Sequence, residues 1–355
     1  MKNNKMPGVT PISIKPSKKL SNTGVLLMIT IGLFVLLYLI SIIMFQDGNF
    51  AKFSVFFNFL NGKAFLLMLA LGLTVVMITG SIDISVGGVT GLVGMVIAVM
   101  MTEYGVSAGW TIPAAIVIGL LFGIVQGYLI AYMEIQPFIV TLAGMFFARG
   151  MISVVNSSSV PISNTTFLEW SSAKIFIPFL FNERQNGTRD VAYLTPAAII
   201  ALITLIILII VLKKTRFGRS LYAVGGNAQS ALLMGINVRK TKLMAHVLCG
   251  LLAGIGGLLF TLLSPSGNPG NGRGYEIDAI SSSVIGGTML SGGVGLPIGT
   301  FFGVLINGLV DRVVPLFGIV EASWPRIITS AFLFFFIVLQ SILAIVSKKR
   351  GASGK

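Results

Sequence analysis

Long apolar stretches separated by short polar breaks run along almost the whole chain. Such stretches lie near 23–45, 63–80, 86–102, 110–132, 137–155, 193–212, 243–263, 296–314 and 325–346. Each approaches the roughly 20 residues a helix needs to cross a hydrocarbon core of about 30 Å. A tenth stretch, 277–293, is richer in Gly and Ser. Asn58 to Lys63 weakens the start of the second span, which places Phe53 to Leu60 at the interface. The first stretch exceeds the h-region of a signal peptide, and no small-residue cleavage site follows it. It is read as a retained span.

The polar breaks differ in charge. Residues 1–20 carry five Lys/Arg, 213–242 seven and 348–355 four, with no Asp or Glu in any of them. The positive-inside bias puts all three in the cytoplasm, where anionic lipid attracts them. The 156–192 segment is balanced, with Glu169, Glu183 and Asp190 against Lys174, Arg184 and Arg189. It suits the outer face, and Trp170 with several Phe puts part of it along the interface. Parity then requires an even number of crossings on each side of 213–242. Six precede it, and four follow only if 277–293 crosses, so ten spans are expected.

Within 213–242, Gly225-Gly226-Asn227 predicts a turn and an N-cap, and Ala228 to Met234 a helix of two turns. Gly235 is a natural stop. So short a helix is unstable alone in water and needs a surface to dock on. Leu232, Leu233 and Met234 are its apolar side, with Arg216, Arg219 and Arg239 around it.

Composition agrees with the pattern. Of 355 residues, 55% are hydrophobic and 10% charged, against roughly 25% charged in soluble domains. The chain is therefore polytopic and membrane-embedded. The net charge of +14 sits in the cytoplasmic breaks, which argues against nucleic acid. Cys249 and His246 stand alone in one apolar stretch. They read as packing residues, with no metal cluster or internal disulfide.

An internal echo links the halves. GLLFGIVQG (119–127) resembles GTFFGVLING (299–308) with one residue inserted, and Pro113 and Pro297 precede them. Ile82-Asp83 before Gly87-Gly88 echoes Ile277-Asp278 before Gly286-Gly287. Each partner lies five spans downstream, which reverses its direction across the membrane and reads as an inverted repeat. The fold expected is all-α: about ten transmembrane helices in two inverted five-helix halves.

Gly pairs at four-residue spacing, Gly87/Gly91, Gly119/Gly123/Gly127, Gly250/Gly254 and Gly299/Gly303, read as close helix packing. Asp83 and Asp278 are costly near hydrocarbon and are candidates by default, although each also reads as a helix cap. Gln126 and Asn307 can bond a neighbouring helix or line a solute path. No G-x-x-x-x-G-K-[ST] occurs, so ATP is not expected on this chain. A lone His and no nucleophile–base pair make an enzyme a poor reading.

The stretches GSIDISVGG (80–88), TRFGRSLYAVGGN (215–227), LMGINV (233–238) and EIDAISSSVIGGTMLSGGVG (276–295) resemble the ribose-type sugar permeases of bacterial ABC importers. TLAGMFFARG (141–150) and GGTMLSGGVG (286–295) look closest to the galactofuranose importer's permeases. Branched-chain amino-acid permeases share the fold more distantly. The resemblance covers about 25–345. It implies ten helices in two inverted halves and a pore made with a second copy or a similar permease. It implies a separate ATPase that binds the ATP and an outer sugar-binding protein. It also implies a place in the bacterial inner membrane and no cofactor on this chain. The ATPase would dock on the loop matched by 213–242, including Arg216, Phe217, Gly218, Arg219, Gly225, Gly226, Asn227, Leu232, Leu233, Met234, Gly235 and Arg239. The run Ser281–Ser283 departs from the family's smaller, more apolar residues. That adds Ser283 to Asp83, Gln126, Asp278 and Asn307 as candidate path residues.

The domain plan is a basic tail at 1–22, a permease domain at 23–346 and a basic tail at 347–355. The expected function is the permease subunit of an ATP-driven monosaccharide importer of the ribose, galactose or galactofuranose class. Nucleoside or branched-chain amino-acid import is the nearest rival. An amino-acid carrier needs a charged pair for the zwitterion, and none stands out in the sequence. An ion-coupled secondary transporter needs paired acids inside spans, whereas here the acids gather at span ends and in loops. Single-cysteine labelling in a Cys249→Ser background should mark 156–192 from outside the cell and 213–242 only after permeabilisation. Outside labelling of 213–242 would reverse this topology.

Overall fold

The computed structural model describes residues 22–45, 49–183, 189–318, 321 and 323–352. The five basic residues expected to mark the cytoplasm at 1–20, Arg184 and Lys355 lie outside the described residues, as do the side chains of Glu183 and of Lys348 to Arg350. The helices are α1 (Asn22–Met44), α2 (Phe53–Gly62), α3 (Ala64–Ile78), α4 (Val86–Thr102), α5 (Thr111–Ala131), α6 (Pro137–Val155) and α7 (Thr165–Ser172). They continue with α8 (Pro196–Lys214), α9 (Arg216–Gly226), α10 (Ala228–Leu233), α11 (Val238–Leu263), α12 (Tyr275–Ile285), α13 (Pro297–Val313) and α14 (Trp324–Ala352).

Among the described residues seven helices are long and apolar enough to cross a membrane: α1, α5, α6, α8, α11, α13 and α14. The pair α2 and α3 adds an eighth candidate, bent by 57°. The protein is thus a polytopic, predominantly helical membrane protein. Helix α4 has 17 residues and α12 only 11, so α12 is about 16 Å long. The tenth stretch of the sequence is therefore a short helix followed by an irregular Gly-rich segment. Four residues there, Gly287, Gly292, Gly293 and the earlier Gly274, adopt positive φ, which a side chain would resist.

Helix α3 is the centre of the molecule. Every residue from Ala64 to Ile78 is buried, as expected of a helix that is apolar on all sides. Its one polar side chain, Thr74, donates back to Ala70 O at 2.8 Å and meets Thr300 Oγ1 at 2.7 Å. Phe65, Phe260 and Tyr275 bind α3, α11 and α12 together, with ring centroids 4.8–5.3 Å apart.

Around this centre the helices approach at glycine. Gly119 and Gly123 of α5 face Gly250 and Gly254 of α11. A Cβ on Gly123 would stand 2.6 Å from the carbonyl oxygen of His246, and one on Gly250 only 2.7 Å from Cα of Gly123. Gly299 and Gly303 of α13 press on the backbone of Gly286 and Ser282 at the end of α12. Gly87 and Gly91 instead admit the 271–276 segment, with Asn271 O 2.5 Å from a Cβ placed on Gly91.

The 156–195 segment departs from the all-helical expectation. Strand β1 (Val160–Pro161) pairs antiparallel with β4 (Ser266–Gly267). Strands β2 (Ile175–Glu183) and β3 (Arg189–Leu194) form a hairpin whose foot pairs Ile175 with Leu194, just before Thr195 caps α8. The hairpin is fastened along α2. Phe53 N donates to Asn182 Oδ1 at 3.0 Å, Ser54 Oγ to Asp190 at 2.8 Å and Asn61 Nδ2 to Tyr193 O at 3.0 Å. Alternation of Phe and Ile with Pro178 hides this strand pattern among generally apolar residues.

The glycine contacts make a direct prediction. Gly250→Val should cost at least the roughly 1–3 kcal/mol typical of overpacking and lower the melting temperature of the detergent-purified protein. Gly32→Ala, with nothing within 4 Å of the added carbon, should leave it unchanged or slightly higher.

Candidate functional site

The 213–242 segment forms two consecutive helices before α11. Thr215 caps α9, its hydroxyl accepting from Gly218 N at 3.2 Å. Asn227 Oδ1 then accepts from Ser230 N at 2.7 Å and starts α10. Gly235, at φ +80°, turns the chain away, and its N–H returns to Leu232 O. The predicted cap, stop and register of this helix thus coincide with the observed ones, apart from Met234 as C-cap.

Gly225 and Gly226 are different. Instead of a turn they form the last residues of α9, an 11-residue amphipathic helix that the polar composition concealed. A side chain on Gly226 would meet open space, whereas one on Gly225 would run directly into Ile78 O and Gly293 N. Gly218 is pressed on the backbone of Val211 and Leu212, and Phe217 packs on the core. Leu221 and Val224 are buried, and Tyr222 donates to Gly295 O at 2.7 Å. Burial pushes the Tyr222 phenol up. Gly293 N in turn donates to Ile78 O at 2.8 Å. Helix α9 therefore rests on both the end of α3 and the 286–296 segment.

Among the described residues nothing covers the apolar side of α10. Leu232, Leu233 and Met234 are 62%, 85% and 71% exposed. Beside them an open hollow of about 650 Å³ runs between Gln229, Ile236 and Val238 to Glu134 and Arg239. Arg239 donates to Glu134 at 3.0 Å across its mouth. Arg216 and Arg219 are exposed on α9, with Arg219 reaching Lys214 O at 3.3 Å. Such a surface can receive a partner's apolar knob within a cationic rim, and α9 can carry its displacement to the core.

The candidate path residues do not form one site. Asp83 and Gln126 do come together: Asp83 Oδ1 accepts from Ser85 N at 2.9 Å and Ser85 Oγ at 2.6 Å, and Gln126 Nε2 donates to Ser85 Oγ at 3.0 Å. Asp83 precedes the N-cap of α4, Ser85, so its carboxylate closes the approach turn instead of capping the helix. Its other oxygen is 3.8 Å from Nδ1 of the wholly buried His246. Asp278 is no cap either. It sits within the first turn of α12, whose N-cap is Gly274. Ser283 donates to Ala70 O and Ala279 O and belongs to the Thr74 cluster. Asn307 is 2% exposed with Oδ1 unpartnered. Asp83, Glu276 and Asp278 are all buried, although in sequence they lie at span ends.

One pair was not visible in the sequence. Arg149 of α6 donates to Glu276 of α12 at 2.6 Å. A basic residue inside the 137–155 stretch was the available signal, since charge within a span is costly. Its partner, 127 residues away, was not legible.

A family model described as "Branched-chain amino acid transport system / permease component" matches residues 55–339. This chain belongs to that family. It is accordingly a transport permease and not an enzyme. It is 40% identical over 327 residues to the inner membrane ABC transporter permease protein YjfF of Escherichia coli K12, covering 92% of this chain and 95% of that one. It is 36% identical over 308 residues to the ribose import permease protein RbsC of the same organism (87% and 92% covered). It is 31% identical over 319 residues to the fructose import permease protein FruG of Bifidobacterium longum (89% and 92%). No solved structure matches.

Asp83→Asn keeps an acceptor for Ser85 and should retain folded permease near wild-type yield. Asp83→Leu strands the Ser85 N–H in the interior, at about 1–3 kcal/mol. Its melting temperature in detergent should fall clearly below that of Asp83→Asn, and equal melting of the two would contradict this role.

Proposed function

We propose that this chain is the membrane-spanning permease of an ATP-driven importer for a monosaccharide of the ribose, galactose or galactofuranose class. The relatives named for ribose and fructose import cover most of the chain and support the substrate class. In this reading a separate ATPase docks on α10, a binding protein delivers sugar at the opposite face, and a second permease copy or a similar permease completes the pore. The chain sits in the bacterial inner membrane with both termini and 213–242 in the cytoplasm.

The single observation carrying the coupling role is the capped, exposed α10 standing on α9. A helix of six residues persists only on a support, and its apolar side is turned away from that support. ATP binding by the partner would shift α10 and α9, and through Ile78 and Gly293 the segments beneath them. Such a shift needs different contacts in the two states. Ten crossings in two inverted halves remain the organisation favoured here. The sequence echo supports it, and Gly119/Gly123 and Gly299/Gly303 of the echoed segments both make close backbone contacts, although with helices, α11 and α12, that do not correspond to each other in that offset.

Branched-chain amino-acid import is a second reading, favoured by the family's description and by the Arg149–Glu276 pair. That pair supplies the charges that the sequence did not reveal. Uptake of labelled pentoses, hexoses and leucine by the assembled wild-type transporter separates the two.

Replacing Leu232 and Leu233 with Asp puts charge where an apolar pocket is expected. Sugar uptake and sugar-stimulated ATP hydrolysis should fall at least tenfold while the permease still reaches the membrane. Co-purification of the ATPase with the double variant at wild-type yield would mean that α10 rests on lipid headgroups instead.

A further inference from the structure

The Arg149–Glu276 pair is incompletely satisfied. The Glu276 side chain is 9% exposed and that of Arg149 31%. Glu276 Oε2 and Arg149 Nε are both buried without a hydrogen-bond partner. Desolvated ion pairs normally satisfy their remaining lone pairs and protons, because stranded ones are costly. Here one acceptor and one donor are left over on the two partners of a single bond. Gly87, whose Cα faces the Glu276 carboxylate, leaves no space for a third side chain from α4.

Other candidate polar groups are committed. Gln126 is held by Ser85, and Ser283 by Ala70 and Thr74. Asn307 also keeps an unpartnered Oδ1, but it is 2% exposed and has no complementary spare donor beside it among the unpartnered buried atoms of α13. Arg149, by contrast, reaches the surface of α6. Phe146, one turn earlier on the same side, is 61% exposed, and a carbon added at Gly150 meets nothing within 4 Å.

We infer that Arg149, Glu276 and Phe146 form a sugar-contact subsite within the permease, an inference that rests on the sugar-importer reading above. Arg149 Nε–H donates to one hydroxyl and Glu276 Oε2 accepts from its neighbour, while Phe146 covers the apolar face of the ring. A vicinal diol supplies one acceptor and one donor with no net charge, so it leaves the ion pair intact. A zwitterion's carboxylate and ammonium fit the same donor and acceptor, so the choice of a diol rests on the relatives named for sugar import. Both spare atoms are enclosed in this conformation. The subsite therefore opens only as α6 moves off α12, which ties sugar contact to the switch between the two sides.

The test uses phospholipid vesicles holding the assembled transporter with one unchanged binding protein. Uptake of the transported sugar is compared with that of its mono-deoxy analogues for wild type, Arg149→Lys and Glu276→Gln. Because the binding protein is constant, a change in the parent-to-deoxy ratio reports the permease. Both variants should be made in normal amount, with parent-sugar uptake reduced about tenfold. For at least one deoxy position the wild-type discrimination should shrink several-fold, since a site built for a hydroxyl rejects the analogue lacking it. Phe146→Ala should weaken parent and deoxy sugars alike, and Phe146→Tyr should restore uptake. Equal loss for parent and every deoxy analogue, or no loss, would make the pair a helix clamp and overturn the subsite. Wild-type uptake of leucine but of no sugar would overturn the sugar reading and the subsite with it, and it is recognisable before any variant is made.

Discussion

Helices surrounded by hydrocarbon gain little from burying one leucine against another, so their association depends on how closely the backbones approach. In this permease that approach is made at glycine. Gly119 and Gly123 against Gly250 and Gly254 join α5 to α11, and Gly299 and Gly303 join α13 to the end of α12. The same device continues outside the spans, where Gly225 seats α9 on Ile78 and Gly293. Remove the close contacts and neither the buried α3 nor α9 and α10 keep their places.

The consequence is a short mechanical route. Helix α11 begins at Val238, immediately after α10, and its glycine face is locked to α5. Helix α9 reaches α3 and the 286–296 segment through Tyr222 and Gly225. A movement of α10 thus meets backbone on either side, not flexible side chains. Packed backbone contacts have discrete arrangements and do not deform smoothly, which suits a device that alternates between two states.

The interior is polar at a few points, and their satisfaction separates their roles. Ser85 ties Asp83 to Gln126, and Thr74 ties Ser283 to Thr300. These bonds hold three or more elements in register. Among the described residues His246, the Arg149–Glu276 pair, Ser281, Thr288 and Asn307 keep buried polar atoms without partners, and such stranded groups are costly.

The sequence by itself determined the class of molecule, most span positions and the short capped helix α10. Those follow from local properties: apolar runs of membrane length, charge in the breaks, and Asn227 and Gly235 at the ends of seven residues. It also displayed the glycine spacing, because residues four apart share a helix face whatever lies opposite. Other features were decided only in three dimensions. The helical role of Gly225 and Gly226 depends on the surface beneath α9, which no local pattern encodes. The hairpin at 175–194 takes its form from hydrogen bonds to α2, more than 120 residues away. Asp83 looked like a cap because it precedes a helix, yet its partners are Ser85 and a histidine 163 residues on. Arg149 and Glu276 acquire meaning only from each other. Spacing along a chain reports which groups share a face, whereas packing decides which groups from distant segments must satisfy one another once water is excluded.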